Sequence, residues 1–147
     1  MKSLELFEEF IRKKIVKRQI PDKSRAEFLI KEAQRDYLSL PEMIAKLGVS
    51  DNNANNYVKY CYDILMELIR AKMLLDGYNA SGYGAHEAEV SYTRNLGFSE
   101  KEVQFLEQMR YFRNGMLYYG TILDKEYAES VIEFLKVNYS KLIGLIK

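Results

Sequence analysis

An all-α fold, an antiparallel bundle of five to six helices, is what this sequence predicts, on three observations. Apolar residues recur at the helical spacing of three and four along most of the chain. The two prolines and eight glycines are few, and most fall between the periodic runs rather than within them. The segment FSEKEV, residues 98–103, carries the paired signature of a helix start. No stretch alternates at the strand period strongly enough to define a sheet.

The first helix is expected over residues 1–20, with Leu4, Phe7, Phe10 and Ile11 as its apolar stripe. Lys13 and Lys17, then Lys14 and Arg18, form rows of positive charge at i,i+4 spacing, and Pro21 stops the helix. This segment reads as a basic arm on a single domain spanning 1–147. A second helix begins near Ser24 and turns Phe28, Leu29, Ala33 and Tyr37 inward. Pro41 ends or kinks it, and Gly48 closes its continuation.

SDNNANN, residues 50–56, is a poor helix body and a good helix start, because short polar side chains can cap free amides. YVKYCYDILMELIRAKMLL, which follows, is apolar almost all round and marks a helix buried on most sides. Its exception is the row Lys59, Asp63, Glu67 and Arg70. The row is either a solvated seam of ion pairs, the commoner arrangement, or the lining of a shared cleft. Cys61, the one cysteine, reads as a small core residue and leaves no partner for an intramolecular disulfide.

GYNASGYGAHE, residues 77–87, is a loop entering a short helix, and Gly77 terminates the buried helix before it. It lacks the Gly-Lys-Ser/Thr ending of a phosphate loop. Gly97 ends the short helix, Ser99 and Glu102 form a capping box, and Phe98 can staple onto Val103. Asp124 caps a last helix whose Ala128, Val131, Ile132, Leu135, Leu142 and Ile146 follow the 3.6-residue period.

A net charge of +1 excludes a molecule that binds nucleic acid by bulk charge alone. The distribution is uneven: residues 1–25 hold eight Lys/Arg against four Asp/Glu, and the rest fourteen against seventeen. A basic arm can meet phosphates; a solvated helix face is the ordinary outcome of such a run. No run reaches the length of a membrane span and no apolar leader opens the chain, so a cytoplasmic protein without membrane contact is expected.

RYFRNGMLYYG, residues 110–120, is the anomaly. Two glycines and two arginines interrupt what should be a propagating helix, and each interior glycine costs about 1 kcal/mol against alanine. Arg110, Asn114 and Tyr118 share one i,i+4 row, with Gly115 beside them to admit another backbone.

Taken in order, AKMLLDGY, GYGAHEAEVSY and GFSEKEVQFLEQMRYFRNGMLYYG resemble the HEPN domain family over roughly the C-terminal two thirds of the chain. The resemblance implies an antiparallel helical bundle, commonly a homodimer, and in many members a metal-independent endoribonuclease acting in a shared cleft. It implies no cofactor and no metal. Some relatives of that kind are toxins paired with a small nucleotidyltransferase; others bind nucleotides or are inactive interaction modules. The family motif is an arginine, usually a polar residue, then a histidine four to six residues on. Arg113 and Asn114 match its start; Tyr118, Tyr119 or Gly120 stands where the histidine belongs.

That departure bears on the chemistry. A tyrosine of pKa near 10 is about one part in a thousand ionised at pH 7, a poor base, though its phenol can donate a proton or stack on a nucleobase. Arg113 keeps a guanidinium that fits phosphate oxygens in pairs. His86 is the one histidine and becomes the candidate proton-transfer group if the bundle brings it near Arg113. The candidate site is therefore Arg113, Asn114, Tyr118, Tyr119 and His86, with Arg110, Lys13, Lys14, Lys17 and Arg18 as RNA contacts.

Overall fold

A helix that is apolar all round has to be enclosed, and the chain is arranged to enclose one. The structure, a computed structural model, describes residues 3–147. Its buried helix α3 spans Ala54–Leu75 and packs against α2, Lys23–Leu47, and α6, Lys125–Ile146. It also packs against α4, Ala85–Tyr92, and α5, Glu100–Tyr118. A short α1, Phe7–Arg12, and a 3₁₀ turn, Thr93–Leu96, complete the helical structure among the described residues. The fold is an all-α bundle, as the periodicity predicts.

The capping arguments hold where they are most specific. Ser99 Oγ accepts from the Glu102 amide at 3.2 Å while Glu102 accepts from the Ser99 amide at 2.9 Å, so α5 starts at the expected box. Asp124 accepts from Tyr127 and starts α6, and the expected stripe of that helix is buried apart from the half-buried Ile146. Cys61 is fully buried, which pushes its thiol pKa up to about 12 and leaves it inert. Gly77 leaves the helix end at φ +87°, and a Cβ there would sit 2.9 Å from the Gln19 carbonyl.

Some expectations need correction. The N-terminal helix does not run to residue 20: it ends at Arg12, Lys14 turns the chain at φ +62°, and Val16–Arg18 forms a strand, β1. β1 pairs antiparallel with β2, Tyr78–Ala80, with Lys17 opposite Asn79. The rows of charge therefore do not exist as helix rows, and Phe7 and Phe10 lie in the core instead of on an arm. The strand was invisible locally because three residues are too few to show a period.

Of the two outcomes open at Pro41, the helix continues through it to Leu47, and Gly48 closes the continuation as expected. The preceding turn is held from outside: Tyr60 Oη donates to the Asp36 carbonyl at 2.5 Å, and Tyr37 stacks on Tyr139 with ring centroids 3.6 Å apart. Of the expected stripe of α2, Ala33 is buried and Leu29 and Tyr37 pack against the core; Phe28 alone departs from it. Ala26, Ala33 and Leu40 are buried seven residues apart, while the bulkier Phe28 lies outside. The asparagines of 50–56 tie loops rather than cap α3. Asn55 donates to the Thr121 carbonyl and accepts from the Leu123 amide, both at 2.8 Å.

The last correction concerns Gly115. The space beside it is taken by Thr121 of the same chain, whose Cβ lies 3.2 Å from where a Gly115 Cβ would stand. The Thr121 amide bonds the Gly115 carbonyl at 3.1 Å, and Gly120, at φ +66°, turns the chain back to make this possible. The space beside Gly115 is therefore filled from within the chain. Gly115→Ala is expected to cost about 1–3 kcal/mol by overfilling this turn. In a Thr121→Ala background the loss should be clearly smaller, and urea denaturation of the double-mutant cycle reads the difference.

Candidate functional site

Where α3, the first turn of α4 and the second half of α5 meet, they leave an open cleft of about 320 Å³. Tyr62, Asp63, Met66, Glu67 and Arg70 line it from α3, His86 from α4, and Arg113, Asn114 and Leu117 from α5. The polar row of α3 is thus the cleft lining over most of its length rather than a solvated seam. Its residues are three and four apart because one face of a helix repeats at that spacing.

Glu89 organises the α4 side. It is 3% exposed and accepts two bonds from Arg70, Nε at 2.7 Å and Nη2 at 3.0 Å. His86 Nδ1 lies 3.1 Å from the same carboxylate. Burial works against ionisation of Glu89, but the hydrogen bonds from His86 and Arg70 outweigh it and hold the carboxyl below its ordinary range. An ionised carboxylate only accepts, so His86 donates through Nδ1, and in the neutral ring the lone pair is on Nε2.

The α5 side carries a cation with little to hold it. Nε and Nη1 of Arg113 are buried without a hydrogen-bond partner, and the nearest carboxylate oxygen, on Asp63, is 4.0 Å from Nε. Desolvating a guanidinium and leaving two of its nitrogens unpaired is costly, and an incoming anion would remove that cost. Opposite it, Glu67 has a buried, unpartnered Oε1. Burial, then the negative charges of Asp36, Asp63 and Glu32, push its carboxyl up to about 7. Burial likewise raises Asp63, with Arg113 opposing it.

The structure thus brings Arg113, Asn114 and His86 together and leaves the other expected site residues elsewhere. Arg110 is drawn into ion pairs with Glu107 at 2.6 Å and Glu87 at 3.6 Å, and faces a separate cleft beside Tyr111. Tyr118 and Tyr119 are 75% and 86% exposed at the end of α5 and line neither cleft. The i,i+4 row predicted a common face, but two such steps overshoot two helical turns by about 80°. Lys13 pairs with Glu5 at 2.6 Å, Lys14 forms the turn, and Lys17 and Arg18 lie on β1. None of the four lines the Arg113 cleft.

Sequence reasoning missed Glu89 and gave Glu67 no role of its own. No local signal joins Arg70 to Glu89, nineteen residues apart across a loop, and only the docking of α4 onto α3 reveals the pair. Among the described residues, no group of three or more His, Cys, Asp or Glu is placed to hold a metal ion. None of their helices is long and apolar enough to cross a membrane. The groups present can bind an oxyanion at Arg113 and move protons at His86 and Glu67. No protein-family model matches the chain, nor does any curated protein or solved structure.

Proposed function

We propose that the chain is a HEPN-like, RNA-directed protein whose α3–α4–α5 cleft cuts RNA without a metal ion, in the manner of a toxin-like endoribonuclease. One observation carries the reading: His86 lines the same cleft as Arg113, with its Nδ1 held by a buried carboxylate. The histidine that the Arg-Asn motif lacks on α5 is in this way replaced from α4. Arg113 takes the scissile phosphate, and Asn114 sits beside it to donate an amide hydrogen bond. His86 Nε2 takes the proton of the 2′-hydroxyl as its oxygen attacks phosphorus.

The test is cleavage of single-stranded RNA in the presence of a chelator, leaving a 2′,3′-cyclic phosphate end. Arg113→Ala should lower the rate by about 10²–10³-fold, since it removes the cation that stabilises charge developing on the phosphoryl oxygens. The fold should survive, because two of the deleted nitrogens have no partner to lose. A wild-type protein that leaves RNA intact would sink the enzyme reading.

A second reading has its own observation. Leu117, Tyr118, Tyr119 and Ile122 are all more than half exposed at the end of α5. Such a patch suits an inactive interaction module that docks a small nucleotidyltransferase or a second copy, or that binds a nucleotide beside Arg113. With Gly115 occupied by Thr121, the homodimer rests on the family resemblance and on this patch. Mass in solution, against 17.3 kDa for one chain, is the readout that separates the dimer from the monomer.

A further inference from the structure

An acid is still missing from the proposed reaction. As the 2′-oxygen bonds to phosphorus, the bond from phosphorus to the 5′-oxygen breaks, and the departing alkoxide needs a proton. We infer that Glu67 supplies it, as the second proton-transfer group of the cleft, from α3 where His86 stands on α4. The inference rests on the endoribonuclease reading above and adds a residue to it.

Geometry singles Glu67 out from the other carboxylates nearby. Glu89 is committed to Arg70 and His86. Asp63 is exposed and points its charge toward Arg113. Glu67 lines the cleft, is half-buried and, among the described residues, takes part in no ion pair and has one oxygen sealed from water with nothing bonded to it. A buried carboxyl in that state avoids ionising, and the surrounding charges reinforce this. Asp36 and Glu32 face it from α2 and Asp63 from its own helix; Arg70, also on α3, opposes them. Arg113 of α5 and His86 of α4 complete the charged and titratable groups of the cleft. The result is a carboxyl that still carries a proton near neutrality, with its ordinary value of 4.5 pushed up to about 7.

The proton balance then closes. The 2′-hydroxyl proton passes to His86 Nε2, the Glu67 proton passes to the 5′-oxygen, and the cyclic phosphate and a free 5′-hydroxyl leave. Histidinium and carboxylate are reset by exchange with water. Because the reaction needs Glu67 protonated, the rate should fall as pH rises through about 7.

Two substrates separate this role from a structural one. A single-stranded oligoribonucleotide has an alkoxide leaving group that needs an acid; a uridine 3′-(nitrophenyl phosphate) releases a phenolate that does not. Glu67→Gln should slow the oligoribonucleotide by about 10²–10⁴-fold, spare the aryl ester, and erase the falling limb near neutrality. His86→Ala should slow both. Equal loss on both substrates, or no loss on either, overturns the role of Glu67 while the endoribonuclease reading stands. A wild-type protein inert on both substrates overturns the two together. Independently of activity, carbon NMR of the Glu67 carboxyl should titrate near 7; titration near 4.5 overturns the assignment.

Discussion

Glu89→Ala is expected to lower the stability of the fold by about 3–5 kcal/mol at pH 7, the cost of leaving a buried cation without its counter-charge. Arg70 is three-quarters buried and gives two hydrogen bonds to Glu89, so solvent replaces the carboxylate only in part. The loss should depend on pH in a definite sense. The folded state holds the Glu89 carboxyl below its ordinary 4.5, so on acidification the unfolded chain takes up that proton first. The contribution is therefore complete above pH 4.5 and fades as pH falls through the lower, folded value. Urea midpoints of wild type and Glu89→Ala should lie far apart at neutrality and converge in acid. A gap that stays constant would mean that packing, not charge, carries the effect. Arg70→Met added to Glu89→Ala should recover much of the loss by removing the orphaned charge. Activity should not recover with it, because His86 would still lack the acceptor that sets its tautomer.

How much of this site could be read from sequence depends on the range of the interaction. Helix starts are local, and Ser99, Glu102 and Asp124 announce two of them within four residues. The burial of α3 is also legible, because an apolar surface on every side leaves no alternative. The cleft is a tertiary object. Arg113 drew notice because Arg113-Asn114 matches the start of the family motif, and the row from Asp63 to Arg70 because its period is helical. Nothing in either pattern says that the two face each other across one cleft. That Tyr118 and Tyr119 lie outside this cleft follows from α5 ending at Tyr118, beyond the reach of α4. Gly115 shows the complementary error. A glycine on a helix reports that something comes close; only the fold says that it is Thr121, six residues on.

The N-terminus gives the sharpest contrast between a solvated arm and a structural segment. Phe7→Ala is expected to cost about 3–5 kcal/mol, the range for emptying a buried phenylalanine site. Phe7 is 2% exposed, meets the Tyr78 ring edge-on at 5.2 Å and lies 4.6 Å from the Tyr92 ring. The segment before it is tied to the end of α4 and the turn that follows. Ser91 Oγ donates to the Glu5 carbonyl at 2.6 Å, and Arg94 donates to the carbonyls of Leu4 and Glu5 at 3.0 and 2.7 Å. The N-terminal residues therefore brace the helix that presents His86 and Glu89 to the cleft. For an arm in solvent the same substitution would register within about 0.5 kcal/mol, the range of ordinary surface changes. Chemical denaturation decides between the two, with Lys17→Gln as the surface control on β1. Comparable small shifts in both variants would return residues 1–20 to the status of an arm. A large shift confined to Phe7→Ala makes them part of the scaffold that holds the cleft together.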